Sequence, residues 1–374
     1  MTSLADHGGW PALLTELLER NDLTASQARA AMSTILAGDA TPAQLIAFVV
    51  ALRAKGETSE ELAGLLDAVL AAATPVHLPE SIANRAVDIV GTGGDRSHSV
   101  NVSTMAAIVV AGAGVPVCKH GARAASSKCG AADVLEALGV AIDLQPAGVL
   151  RCIDQAGIGF CLAANYHPSF RFAAAARKEI GVATVFNLLG PMANPARITR
   201  QLIGVANKDY AERMLASLRL HGSVTTWVVS GPGLDELSTT GPSQVLALED
   251  GVVRSFMVDA VDYGLAPAIP DELVGGEPAE NAAFARAVLA GKHGAHRDIV
   301  VLNAGAALVV AGVVDDLGVG ISMAADSIDT GRASLALDLL ITTSQAAKAD
   351  QVAAAEQAAT AEQAAAAEQA STSA

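Results

Sequence analysis

The sequence predicts an α/β protein with an all-helical unit at its N-terminus. Three observations carry that prediction. Residues 1–80 show only helical periodicity. From Ala86 onward, short β-like runs alternate with glycine-containing turns and longer helical patterns. Half of the 374 residues are hydrophobic but only 3% are aromatic, as in an aliphatic core filled by Ala, Val, Leu and Ile.

In the N-terminal unit, Trp10, Leu13, Leu14, Leu17 and Leu18 fall at helical spacing over Trp10–Arg20. Thr24 or Ser26 suits the cap of a helix running to Leu36. Thr41 followed by Pro42 starts another, because Thr accepts from free helix N–H groups and Pro fits the first helical turn. Ser59–Ala71 continues the pattern. Beyond Ala86, strands are expected at Val87–Val90, Val115–Lys119, Trp227–Ser230 and Ile299–Leu302, with helices at Ser103–Ala113 and Ala132–Leu138. No repeat of 20–50 residues is present. From Ala346 the chain is rich in Ala, Gln and Glu, with Ala-Glu-Gln-Ala recurring at 355, 361 and 367. A six-residue period keeps no single helical face, so 346–374 is expected to be frayed helix or disorder without chemistry.

The net charge of −15 argues against nucleic acid or anionic lipid as partner. The runs Met105–Val117 and Ile299–Val314 are interrupted and shorter than the ~20 residues of a membrane helix. Cys118, Cys129, Cys152 and Cys161 form no Cys-x-x-Cys pair and no secretory signal is seen, so reduced thiols in a cytoplasmic protein are expected.

Four segments carry chemistry. Gly91-Thr92-Gly93-Gly94-Asp95 follows a strand; its glycines allow close backbone approach and its N–H groups suit an anion. Alone, the loop serves equally well as a tight structural turn. It lacks the Gly-Lys-Ser/Thr of a Walker loop and the Gly-x-Gly-x-x-Gly of a dinucleotide site. Asn101-Val102-Ser103-Thr104 opens a helix whose N–H groups and dipole favour phosphate. Lys119-His120-Gly121-Ala122-Arg123-Ala124-Ala125-Ser126-Ser127-Lys128 has four basic side chains and no acid, a local inversion in an acidic chain suited to phosphate or pyrophosphate. Asp235-Glu236 follows a glycine-rich strand end and suits a hard cation such as magnesium, although adjacent loop acids are usually only solvated.

Together with Asp133–Gly139, Phe186–Pro195 and Gly233–Leu237, these segments resemble the anthranilate phosphoribosyltransferases, in order and with suitable spacing over about residues 10–345. The resemblance implies a small helical domain hinged to a larger α/β domain with a central, mostly parallel sheet, of the nucleoside phosphorylase/phosphoribosyltransferase type. Residues 1–80, joined by about 177–205, would form the first, and 81–176 with 206–345 the second. A homodimer would form through the helical domain. PRPP (5-phosphoribosyl 1-diphosphate) would be held by Gly91, Gly94, Asp95, Ser99, Asn101, Ser103, Thr104, Lys119, Arg123, Ser126, Ser127 and Ala131. Anthranilate would meet Gly91, His120, Ala122, His167 and Arg177, and Mg2+ would lie at Ser103, Asp235 and Glu236.

Transfer of the phosphoribosyl group to the anthranilate amine needs no strong base, because an aryl amine already carries its lone pair. No catalytic acid, base or triad is identified. One position departs from the family: where its basic loop usually has Asn, this chain has Ala122, which puts acceptor selectivity in question and leaves another aromatic amine open. His98 adds a titratable group near the phosphate loop. The alternative enzyme is a pyrimidine nucleoside phosphorylase, which shares the layout but uses inorganic phosphate; Asp235-Glu236 and Phe186–Pro195 favour the transferase.

Overall fold

The computed structural model describes residues 2–95, 97–124 and 127–372. The N-terminal unit consists of α1 (Gly9–Leu18), α2 (Ala25–Ala37), α3 (Pro42–Lys55) and α4 (Ser59–Ala72). Thr24, Thr41 and Thr58 each cap a helix in the same reciprocal way. The Thr side chain accepts from the backbone three residues on, and the Gln27, Gln44 or Glu61 side chain accepts from the Thr N–H. Glu61 does more: fully buried, it also accepts from Leu23 N–H at 2.8 Å and pairs with Lys55 at 3.0 Å, tying α4 to the start of α2.

The second unit begins with α5 (Glu80–Ala83), β1 (Asp88–Gly91), α6 (Val102–Gly112), β2 (Val117–Gly121), α7 (Ala131–Leu138), α8 (Pro146–Ala156) and β3 (Ile158–Leu162). After α9 (Ala163–Tyr166), α10 (Arg171–Ile180) and α11 (Val185–Met192) come β4 (Arg200–Gly204), α12 (Ala211–Leu220), β5 (Thr225–Ser230), β6 (Ser243–Glu249) and β7 (Val252–Val258). The chain ends in α13 (Pro278–Leu289), α14 (Ala295–Val310), α15 (Leu317–Asp329) and α16 (Arg332–Thr372). Five strands form a sheet in the order β1-β4-β5-β6-β7, and β2 pairs with β3. A bridge from Val87 to Val117 joins the two. Pairing is parallel from β3 to β5 and antiparallel at β6 and β7, so the sheet is mostly parallel as expected.

Alternation along the strands divides the interior in two. Ile89, Leu202, Trp227 and Val229 face a core built with α6, α14 and α16. Val90, Ile203, Val205 and Val228 face a second core, shared with α1–α4, α11 and α12. The helical unit therefore packs on one face of the sheet, and the connection through Asn194 and Pro195 runs between the two.

Several expectations change. Ile299–Leu302 lies inside α14, not in a strand. Its apolar run is part of a helix buried on nearly all sides, where short-range periodicity does not separate the two states. Residues 200–204, expected to join the helical unit, form a strand of the sheet, while α10 and α11 pack on the helical unit. The 346–374 segment continues α16 as helix to Thr372. Its first turns dock: Ala347 is buried, Lys348 pairs with Asp143, and Asp350 meets Arg151 at 2.7 Å. β6 and β7 were not foreseen, although the Asp250-Gly251 turn between them has positive φ at both residues, the mark of a tight hairpin. The four cysteines are free and buried. Among the described residues, no helix is long and apolar enough to cross a membrane.

Candidate active site

The C-terminal ends of β1, β2 and β5 meet at one place, the usual position of ligand loops in an α/β sheet. β1 ends in Gly91, and Gly93 and Gly94 turn the loop with φ of 64° and 78°. The Gly93 N–H donates to Asp235 Oδ2 at 2.7 Å, joining the glycine loop to the acidic pair. Glycine is required for a second reason at Gly91 and Gly204. A Cβ at Gly91 would lie 2.3 Å from Asp235 Oδ2, and one at Gly204 would overlap the Asp235 carbonyl.

Carboxylate oxygens of Asp95, Asp235 and Glu236 lie within 4.8 Å of one another. Burial, then the neighbouring Asp95, pushes the Asp235 carboxyl up to about 7. Burial, Asp235 and Asp95 push Glu236 well above the usual range. Glu236 Oε2 is buried without a hydrogen-bond partner. Asp235 and Glu236, which resist ionising beside Asp95, with one buried oxygen of Glu236 unpartnered, fit a hard divalent cation, which would remove their repulsion. The residues thus suit magnesium, and Asp95 joins the expected pair as a third candidate ligand. Ser103 instead accepts from Lys119 Nζ at 3.3 Å.

Lys119 is 1% exposed, and its ammonium donates to the Ile89 carbonyl as well as to Ser103. Burial lowers its pKa to about 8, while Asp88 and Glu236 oppose that fall. Asn101 sits at the start of α6, where Nδ2 donates to the Cys129 carbonyl at 3.1 Å and Oδ1 accepts from Asn281 at 2.8 Å. Thr104, one turn on, has a buried hydroxyl without a partner. Ser99 bridges to Val274. Ser127 donates weakly to the Cys129 carbonyl at 3.4 Å, and Ala131 begins α7. Arg123 turns to α7, held by Glu136 at 2.8 Å and Asp133 at 3.0 Å. Ser126 lies outside the described residues. His98 is exposed at the loop edge and has positive φ, 54°.

The expected acceptor residues gather on the side of the helical unit. The His120 and His167 rings meet edge-on at 5.1 Å, His167 stacks on Phe170 at 5.2 Å, and Phe170 meets Phe186 at 5.5 Å. The Arg177 guanidinium lies 4.8 Å over the Phe186 ring. Burial lowers His120 to about 3 and His167 to about 4, so both are neutral near pH 7. His167 Nε2 donates to the Ala193 carbonyl at 2.8 Å, whereas His120 Nε2 is buried and unpartnered. Ala122 is exposed and contributes its carbonyl to the Ala132 N–H.

Behind these groups stand two residues to which the sequence assigned no role, although Asn194 lies in the matching segment Phe186–Pro195. Asp88 accepts from the His120 N–H at 3.1 Å and from Asn194 Nδ2 at 2.8 Å. Asn194 also donates to the Cys118 carbonyl at 2.8 Å. Burial raises Asp88 to about 6, with Lys119 and Asn194 opposing. This pair fixes β2, which carries Lys119 and His120, against the segment linking the two units.

A glycine loop, a carboxylate cluster and a cluster of aromatic rings on a sheet faced by a helical unit fit an enzyme of glycosyl transfer. Residues 83–334 match the α/β domain of a glycosyl transferase family, and residues 11–73 match its helical bundle domain. The chain is 51% identical to the anthranilate phosphoribosyltransferase of Methylobacterium radiotolerans, over 86% of this chain and 92% of that one. It is 49% identical to that of Saccharopolyspora erythraea, over 88% and 95%. Among solved structures it superposes on the Thermus thermophilus enzyme with a TM-score of 0.83 at 37% identity, covering 89% of this chain and 99% of that one. The Saccharomyces cerevisiae enzyme in complex with PRPP and Mg gives 0.82 at 28% identity, covering 90% and 98%. The chain belongs to the anthranilate phosphoribosyltransferase family.

Proposed function

We propose that the chain transfers the 5-phosphoribosyl group of PRPP to the amine of anthranilate and releases pyrophosphate, a step of tryptophan biosynthesis. Membership of the family supports this, and the observation that carries it is the convergence of Asp95, Asp235 and Glu236 on the glycine loop beside buried Lys119. Asp95, Asp235 and Glu236 would hold Mg2+, which when bound neutralises charge on the departing pyrophosphate. The backbone of Gly91–Asp95 and the N-terminal turn of α6 with Asn101, Ser103 and Thr104 bind the phosphates. Lys119 adds a fixed positive charge.

Neutral His120 and His167, with Phe170 and Phe186, form the wall against which the aromatic ring rests, and Arg177 faces its carboxylate. The amine attacks C1 of the ribose with its own lone pair as the bond to pyrophosphate breaks, and the nitrogen then releases a proton to water; orientation between the two units supplies much of the rate. Arg123 would leave its pairing with Glu136 and Asp133 to close over PRPP. The protein works in the cytoplasm as a homodimer joined through its helical unit, a reading supported by exposed Leu18, Val50 and Phe172 on that unit.

Mixing the purified protein with PRPP, magnesium and anthranilate tests the proposal. Magnesium-dependent loss of anthranilate fluorescence, with release of pyrophosphate, is expected. Retained fluorescence, with phosphate-dependent release of free base from a pyrimidine nucleoside, would overturn it.

A further inference from the structure

A second cavity lies away from this site, at the opposite end of β4 and between the two units. It has a volume of about 70 Å3 and is walled by Leu66 and Leu70 of α4, Met192 of α11, Ile198, and Leu218 of α12. That is room for several water molecules or for the body of a small organic acid. One polar group reaches it from the sheet. Gln201 is 1% exposed, and its Nε2 is buried with no hydrogen-bond partner. Its direction follows from the strand: Ile203 and Val205 of the same face enter the core shared with α4, α11 and α12, while Leu202 enters the other core. An unpaired amide donor in an apolar wall is costly to leave without an acceptor. At the rim, exposed Arg197 makes no ion pair among the described residues and is held at φ 52° with its N–H donating to the Asn194 carbonyl.

The chemistry selects the ligand. An amide N–H and a guanidinium both donate. Of the other polar lining residues, Asn194, His221 and Ser223 already bond within the protein, and apart from Thr199 the rest of the wall is aliphatic. The nearest acids are already engaged: Asp88, beside Gln201 across the β1–β4 register, accepts from His120 and Asn194, and Asp67 meets His221 at 3.1 Å. We infer that this cavity is a binding site for a small monocarboxylate with a branched aliphatic body, its carboxylate between Gln201 and Arg197. Asn194 lines the cavity and also holds Asp88, whose other oxygen receives the His120 N–H. The site therefore touches the link between the helical unit and the strand that carries Lys119 and His120, and its occupancy biases the position of that strand.

Isothermal titration of the full chain with isovalerate tests this, with acetate and isoamyl alcohol as arms lacking the body or the charge. Saturable binding of isovalerate is expected, with acetate and the alcohol each weaker. Gln201→Leu, which leaves the phosphate loops and carboxylates untouched, should weaken isovalerate about tenfold, as for loss of a buried hydrogen bond to a charge. Arg197→Ala, at an exposed position, should weaken it similarly and decides the matter if Gln201→Leu does not fold. No saturable binding by the unaltered protein, equal binding of the alcohol, or unchanged affinity in the variants would overturn the assignment.

Discussion

The two halves of the proposed active site are built from different materials. The donor half is made of glycine backbone, helix N–H groups, three carboxylates and a buried lysine, bound to one another across β1, β2 and β5. The acceptor half is made of rings: His120, His167, Phe170 and Phe186, with one half-buried arginine lying on Phe186. Charge neutralisation by fixed groups depends on exact placement and falls sharply when one is removed. Ring contacts are tolerant, and the loss of one polar group there costs binding more than turnover. The difference teaches that donor-half changes should cut kcat/KM for PRPP, while acceptor-half changes should move the KM for anthranilate.

The largest effect is expected from the carboxylates. Asp235→Asn with Glu236→Gln should lower kcat/KM about 100-fold or more, measured by anthranilate fluorescence at saturating magnesium. A drop confined to the KM for anthranilate would break the comparison. Lys119→Ala should raise the KM for PRPP about tenfold to 100-fold and leave the anthranilate KM nearly unchanged; unaltered PRPP affinity would remove Lys119 from the site. Arg177→Ala should do the reverse, raising the anthranilate KM about tenfold. Equal effects on both substrates would make Arg177 structural.

The acid cluster also sets a pH dependence. Asp235 titrates near 7, raised from its ordinary value. Below that pH magnesium must displace a proton, so apparent magnesium affinity should fall by up to about tenfold per pH unit as pH drops below 7, and level off above it. The sign for stability runs the other way without metal. A carboxyl with a raised pKa favours the folded state below about pH 4 and loses that contribution as pH rises through 7, so magnesium should raise Tm more at pH 8 than at pH 5.5. Equal Tm shifts at both values would exclude Asp235 as a ligand. The smallest effect belongs to Ala122. Ala122→Asn adds an amide at the mouth of the acceptor half and should lower the anthranilate KM about threefold, within the range of one net hydrogen bond.

The same contrast explains what could be read from the chain. The donor half was legible because its residues are local: glycines on one turn, Asn101 to Thr104 on one helix start, Lys119 to Ser127 on one loop. Of the three Thr caps, Thr41 was legible for the same reason and Thr24 as an alternative to Ser26, while Thr58 was not expected. Asp88, Gln201 and Asn281 were not legible, because each is a single polar residue that acquires a role only when distant strands and loops meet; Asn194 belonged to the matching segment Phe186–Pro195, but its bonds to Asp88 and Cys118 were not legible either. Asp95 was expected to touch PRPP, and its place as third carboxylate depends on a partner 140 residues away in sequence. Ile299–Leu302 misled because a fully buried helix and a buried strand share the same apolar composition. The Ala-rich tail lacked a repeating face, yet its first turns find ion-pair partners on residues 143–151 that no local pattern announces.

The most direct test is titration of PRPP into the protein at pH 8, with and without magnesium, for the unaltered chain and for Asp235→Asn with Glu236→Gln. The account predicts that magnesium strengthens PRPP binding about tenfold or more in the unaltered chain and has no such effect in the variant. A magnesium effect of equal size in both would contradict the assignment of Asp95, Asp235 and Glu236 as the metal-bearing half of the site.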